Sequence, residues 1–213
     1  MPTFSEEMDM FIEVGKGVSE ELTHAIAKDE RLSPQKKGKI SGRITENVIR
    51  NHLLKKGLNM SNTRVRIDPS WQEIDLLLLK PESNPTKSKY SAKEVDTVLE
   101  IKNNAVADQT TEIKKNFNNL KQIAKNVRFA VIILSERDGY KYAIKQEELG
   151  YPVFTLISRK ISAGRWMWSR SETLAMYSKI MCRGKWAGRR AIRETGKWKE
   201  LVDYLSSNRK ENP

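Results

Sequence analysis

Ile74-Asp75-Leu76-Leu77-Leu78-Leu79 and Val98-Leu99-Glu100-Ile101-Lys102, inside the stretch Trp71 to Lys102, read as two short apolar strands joined by a polar connection. Side chains alternate faces along a strand, so Val98, Glu100 and Lys102 point one way and Leu99 and Ile101 the other. Charges in strands this apolar need a reason, because burying a charge is costly unless it is paired or binds a metal. Two carboxylates and a lysine at neighbouring strand ends suit a divalent cation and an oriented water. The competing reading is a surface hairpin with a solvated Glu100–Lys102 ion pair. The tripeptide Glu-x-Lys is weak by itself: it recurs as Glu112-Ile113-Lys114, in a helical pattern with no strand around it.

Working outward, residues 31–42 read as a loop containing Ser33-Pro34, Gly38 and Gly42. A helix over about 43–56 follows, with Gly57 as its C-terminal cap. On it, Glu46 shares the inward side of Ile49 and Leu53. Residues 63–68 alternate as a short strand with Val65 and Ile67 inward and Arg64 and Arg66 outward. Glu73, just before Asp75, reads as solvated. Residues 80–94, with two prolines and four lysines, read as a long polar loop in which Lys87 and Lys89 are candidate phosphate contacts. Ile113, Phe117, Leu120 and Ala124 form an apolar stripe that predicts a helix over about 108–126. Phe129–Leu134 reads as a strand covered on both faces, and Val153–Ile157 as another strand. Strand, helix, strand at these lengths makes a parallel crossover.

The Asp75 strand, Glu100-Ile101-Lys102 and the order helix, three strands, helix, strand together resemble the PD-(D/E)xK nuclease superfamily, over roughly residues 40–158. Ile74 stands where the family's name has proline. The resemblance implies an α/β fold with a restriction-endonuclease-like core: a central mixed β-sheet flanked by helices, in the order αβββαβ. It also implies that Asp75 and Glu100 are direct metal ligands, with the main-chain carbonyl of Ile101 as a further one. Lys102 would hold or help deprotonate the attacking water and offset negative charge. Glu46 matches, by order and setting, a glutamate that members often carry on the first core helix, directed at the metal; a surface glutamate is the alternative. Phosphodiester hydrolysis of this kind uses one or two Mg²⁺ ions, with Mn²⁺ as a substitute.

The chain has 213 residues and a net charge of +12, enough for one sizeable domain with an extension. A single cysteine, Cys182, excludes an internal disulfide, and with only His24 and His52 a structural zinc site is not expected; any metal should be a hard cation on oxygen ligands. His52 reads as a solvated helix residue and Cys182 as a small buried one. No apolar run is long enough to span a bilayer and no leader pattern opens the chain, so a cytoplasmic protein without membrane contact is expected. Charge is uneven. Residues 1–30 hold 2 Lys/Arg against 8 Asp/Glu, whereas residues 159–213 hold 14 against 5. That asymmetry suits a polyanionic partner, nucleic acid before membrane, with solubility as the plain alternative.

Three regions follow: an acidic helical segment over 1–35, the nuclease core over 36–160, and a basic, tryptophan-rich helical region over 161–213. In the last, Arg183, Lys185, Trp186, Arg189, Arg190 and Arg193 interleave cations with an aromatic, which suits phosphate contacts and stacking. Trp198, at helical spacing with Leu201 and Leu205, reads as core. The expectation is thus a Mg²⁺-dependent DNA endonuclease, first of all a type II restriction enzyme working as a homodimer on a palindromic site, with no nucleotide cofactor. A repair, junction-resolving or mobile-element nuclease of the same superfamily, or a non-catalytic DNA-binding protein on this fold, are the alternatives.

Overall fold

The apolar run Phe129–Leu134 lies in the middle of a five-stranded mixed sheet, buried on both faces. The structure is a computed structural model and describes residues 6–28, 32–104, 109–136, 146–161, 190–194 and 197–207. In chain order the elements are helices α1 (Glu6–Ala27) and α2 (Pro34–Lys55), then strands β1 (Arg66–Asp68), β2 (Leu76–Leu79), β3 (Lys89–Ser91) and β4 (Val95–Asn104). They continue with α3 (Gln109–Ile123), β5 (Arg128–Glu136), α4 (Gln146–Leu149), β6 (Val153–Ile161), β7 (Arg190–Glu194) and α5 (Lys197–Ser206). The sheet runs β2-β4-β5-β6-β7. Its three central strands are mutually parallel, and β2 and β7 are antiparallel to their neighbours.

Helices cover both faces, as a buried parallel centre requires. On one face Phe11, Val14, Ile49, Leu53, Trp198 and Leu201 of α1, α2 and α5 pack on Leu99, Ile132 and Leu156. Helix α1 lies so close to α2 that a Cβ on Gly17 would stand 3.0 Å from the Ile44 side chain. On the other face the stripe Ile113, Phe117, Leu120 and Ala124 packs on Val98, Phe129, Val131 and Ile133. Phe117, Phe129 and Tyr151 form an aromatic trio there, with centroids 5.1 to 5.8 Å apart. Among the described residues no helix is long and apolar enough to cross a membrane.

Four departures from the sequence expectations concern the fold itself. Helix α2 starts at Pro34, so most of the expected loop 31–42 is helical. The start is well specified: the Ser33 side chain accepts the Lys36 N–H, and Pro34 follows where its missing N–H has no cost. Gly38 and Gly42 are carried inside. Second, the expected polar loop 80–94 holds strand β3 and a 3₁₀ turn, Ala92–Glu94, closed by a capping box between Ser91 and Glu94. Strand β3 pairs in parallel with β1, Arg66 opposite Lys89, with Ile67 and Tyr90 buried beneath. Strand β1 therefore belongs to a separate two-stranded ribbon rather than to the main sheet.

Third, the C-terminal region is not wholly helical. Residues Arg190–Glu194 form β7, paired antiparallel with the end of β6, so Arg190 and Arg193 lie on an edge strand of the sheet. Fourth, His52 is buried rather than solvated. Its ring sits 3.1 Å from a Glu13 carboxylate oxygen and 3.5 Å from one of Glu6, edge-on to Trp198. Trp198 itself is core, as its spacing predicts.

Candidate active site

Strand pairing builds the site. Residues Leu76 and Leu99 are partners in the antiparallel β2–β4 ladder, so one step further along Asp75 stands opposite Glu100. Cross-strand partners share a face of the sheet, which sets the two carboxylates side by side. The chain enters at the correct level because Val65 and Ile74 exchange both backbone hydrogen bonds, and the Arg64 N–H donates to the Asp75 carbonyl at 3.1 Å. The Asp75 carboxylate then accepts the Ile101 N–H at 2.8 Å. This contact spends a backbone donor that lies between Glu100 and Lys102 in sequence, and so locks β4 to Asp75. Alternation along β4 is as expected: Leu99 and Ile101 enter the α1–α2 core, whereas Val98 faces the other side.

Lys102 Nζ lies 2.5 Å from Glu100 Oε1, both side chains half-buried. Burial alone would lower the Lys102 pKa, but the charge of Glu100 and its hydrogen bond outweigh burial and hold the ammonium above its ordinary value. Lys102 is therefore a cation at neutral pH in this arrangement, suited to neutralising charge. Asp75 is pushed the other way. Burial first, and the Glu100 charge second, raise its carboxyl to about 7; the Ile101 N–H and Lys102 offset only part of this.

Glu46, on the second half of α2, is buried and its charge reaches Asp75. It does not join Asp75 and Glu100 directly. Arg64 grips it with both ends of the guanidinium, Nε to Oε2 at 3.0 Å and Nη2 to Oε1 at 3.2 Å. Sequence reasoning missed this residue, expecting Arg64 to point outward on a strand. Instead its backbone is left-handed, with φ 59°, a conformation unusual for a side chain this large. No sequence signal marks it, since such positions favour glycine or asparagine. The Arg64 side chain crosses the place beside Gly42, where an added Cβ would lie 3.5 Å from Glu46 Oε1. Asn103 next to the site donates to the Ser41 hydroxyl of α2, and Ser135 Oγ on β5 donates to the Asn103 carbonyl at 3.2 Å, tying helix, β4 and β5 together.

The group thus holds three carboxylates, Glu46, Asp75 and Glu100, and two cations, Arg64 and Lys102. Among the described residues no three acidic, histidine or cysteine side chains converge as a metal cage. Hard dications take oxygen donors, and Asp75 and Glu100 offer two neighbouring carboxylates, one of which burial and its neighbour make reluctant to ionise without a cation. Of the other candidates, Lys87 is paired with Glu94 and Lys89 with Asp68, each at 2.6 Å. Glu73 is exposed, as expected. Residues Arg183, Lys185, Trp186 and Arg189, and also Cys182, lie outside the described residues.

No family model and no curated protein matches the chain. Among solved structures it is similar to NucC of P. aeruginosa ATCC27853 in its cAAA-bound form, at 11% identity and a TM-score of 0.48, over 97% of this chain and 92% of that one. NucC of E. coli MS115-1, also cAAA-bound, gives 12% identity and 0.48 over the same shares. The apo form of the latter gives 13% and 0.44 over 76% of this chain and 82% of that one. Likeness at this level carries no argument about function, which has to come from this chain's own residues.

Proposed function

We propose that this chain is a divalent-metal-dependent endonuclease that hydrolyses phosphodiester bonds in DNA. The observation that carries the reading is the pairing of Asp75 against Glu100 across β2 and β4, with the Ile101 N–H on Asp75 and the Lys102 ammonium on Glu100. A structural ion-pair network would put one cation on each buried acid. Here, among the described residues, no cation lies within salt-bridge distance of Asp75, and its carboxyl is left with a raised pKa, which suits a site that waits for a dication.

Asp75, Glu100 and the Ile101 carbonyl would hold the ion, and Glu46 would join on release from Arg64. A bound Mg²⁺ or Mn²⁺ supplies polarisation of the phosphoryl oxygens and activation of water. The chain's own part is positioning and charge. The Ile101 N–H fixes the Asp75 carboxylate. Glu100 fixes Lys102, whose ammonium would offset the negative charge that grows on the phosphoryl group. Freed of Glu46, the Arg64 guanidinium is a second cation for the same phosphate.

Our finer reading is a type II restriction endonuclease acting as a homodimer on duplex DNA, since the chain is basic and the nuclease-like core fills most of it. A panel of plasmid and phage DNAs incubated with Mg²⁺, with EDTA, and with the Lys102→Ala protein tests both levels. Discrete fragments that require metal and Lys102 are the expected result, and their ends give the recognition site. A metal-dependent smear or nicking would remove the restriction reading and keep the nuclease. Binding without cleavage in any metal would overturn the enzyme.

A further inference from the structure

Trp71 is 82% exposed, while the other large apolar side chains in view among the described residues, Leu54 and Ile123, are below 40%. An indole is the largest apolar side chain, and leaving it in water forfeits more burial than any other residue would. Nor is it loose. The turn that carries it is pinned by the Ser70 N–H to the Ile67 carbonyl at 2.7 Å and by the Gln72 N–H to the Ser70 hydroxyl at 3.0 Å. Two cations flank the ring: the Arg66 guanidinium carbon is 5.5 Å and Lys89 Nζ 6.0 Å from its centroid. Arg66 and Lys89 are register partners on the outward face of the β1–β3 ribbon, whose inward residues Ile67 and Tyr90 are buried. A cation–π pair at so exposed a place contributes little to folding, and the ribbon is anchored without it.

We infer that Trp71, Arg66 and Lys89 form a nucleic-acid contact: the indole packs on a base or sugar of the bound strand while Arg66, and Lys89 on exchanging its exposed Asp68 partner, meet its phosphates. This deepens the nuclease reading and rests on it. Asp75 follows Trp71 by four residue steps, at most about 14 Å of extended chain. At about 3.4 Å per nucleotide along a strand, the contact falls within about four nucleotides of the bond being cut. An aromatic flanked by cations is also what a protein-binding hot spot is made of. Closeness to the acidic pair and the chain's net charge of +12 favour the polyanion.

The test is anisotropy of labelled 25-nucleotide duplex and single-stranded DNA with the full chain in EDTA, comparing wild type, Trp71→Ala, Trp71→Phe and Arg66→Ala, all checked for unchanged thermal melting. Trp71→Ala should bind about tenfold more weakly, with Trp71→Phe within about threefold of wild type, since any flat ring can stack. Arg66→Ala should flatten the dependence of log affinity on log salt by about one. Equal affinity for wild type and Trp71→Ala would overturn the inference, as would a phenylalanine variant as weak as alanine. Loss of self-association in Trp71→Ala with DNA affinity intact would also overturn it, assigning the surface to a protein contact. The nuclease reading fails separately, through absence of cleavage by the wild-type protein in any metal, and that outcome leaves the affinity comparison standing.

Discussion

Replacing Asp75 by asparagine removes a charge that burial and Glu100 oppose, yet keeps an oxygen to accept the Ile101 N–H at nearly the same place. The native carboxyl titrates near 7 against 3.8 for a free one, so ionising it costs the folded state about 4 kcal/mol. The sign follows from proton counts. Between about pH 4 and 7 the folded protein holds a proton that the unfolded chain has released, so wild-type stability falls as pH rises through that window. Asparagine cannot titrate. In EDTA at pH 8 the Asp75→Asn protein should therefore be more stable than wild type by about 2–4 kcal/mol, with the gap closing toward pH 4. Urea melts at pH 4.5 and pH 8 measure this directly. An asparagine variant less stable than wild type at pH 8, or one with the same pH dependence, would refute the claim that Asp75 is a buried acid without a cation of its own.

Other expectations follow from the same contacts. Mg²⁺ at a hundred times its dissociation constant should raise wild-type stability by about 2.7 kcal/mol and should do little for Asp75→Asn, as thermal melts with and without EDTA would show. Arg64→Ala leaves the Glu46 carboxylate, 6% exposed, without its bidentate partner; the loss should be about 1–3 kcal/mol by denaturant melts, and Arg64→Lys should recover only part because an ammonium cannot make the fork. Phe117→Ala empties the centre of the trio with Phe129 and Tyr151 and should cost about 3–5 kcal/mol, leaving any DNA affinity per folded molecule unchanged.

Much of this layout was legible in the sequence because it depends on local periodicity. The stripe from Ile113 to Ala124, the continuous run Phe129–Leu134 and the alternation Val98 to Lys102 each carry their own period, and each forms the expected element. The opposition of Asp75 and Glu100 was legible for a related reason, since two apolar strands joined by a connection tend to pair. What escaped depends on distant contacts. Nothing near Arg64 announces a left-handed backbone or a glutamate eighteen positions earlier as its partner. His52 is buried only because α1 and α5 close over it. Strand β7 exists because β6 extends to Ile161 and offers an edge, which the basic composition of that region conceals. Gly38 and Gly42 suggested a loop, but the Ser33 cap and the apolar face of α2 outweighed two glycines.

The most direct measurement is hydrolysis of supercoiled DNA across a Mg²⁺ titration by wild type and by Glu100→Gln, both verified as folded. Wild type should convert the DNA only when the ion is present, and Glu100→Gln, which keeps the side chain's shape but removes its charge, should lose at least about a hundredfold in rate. Equal rates for the two proteins, or conversion that persists in EDTA, would contradict a metal-dependent site built on Asp75 and Glu100.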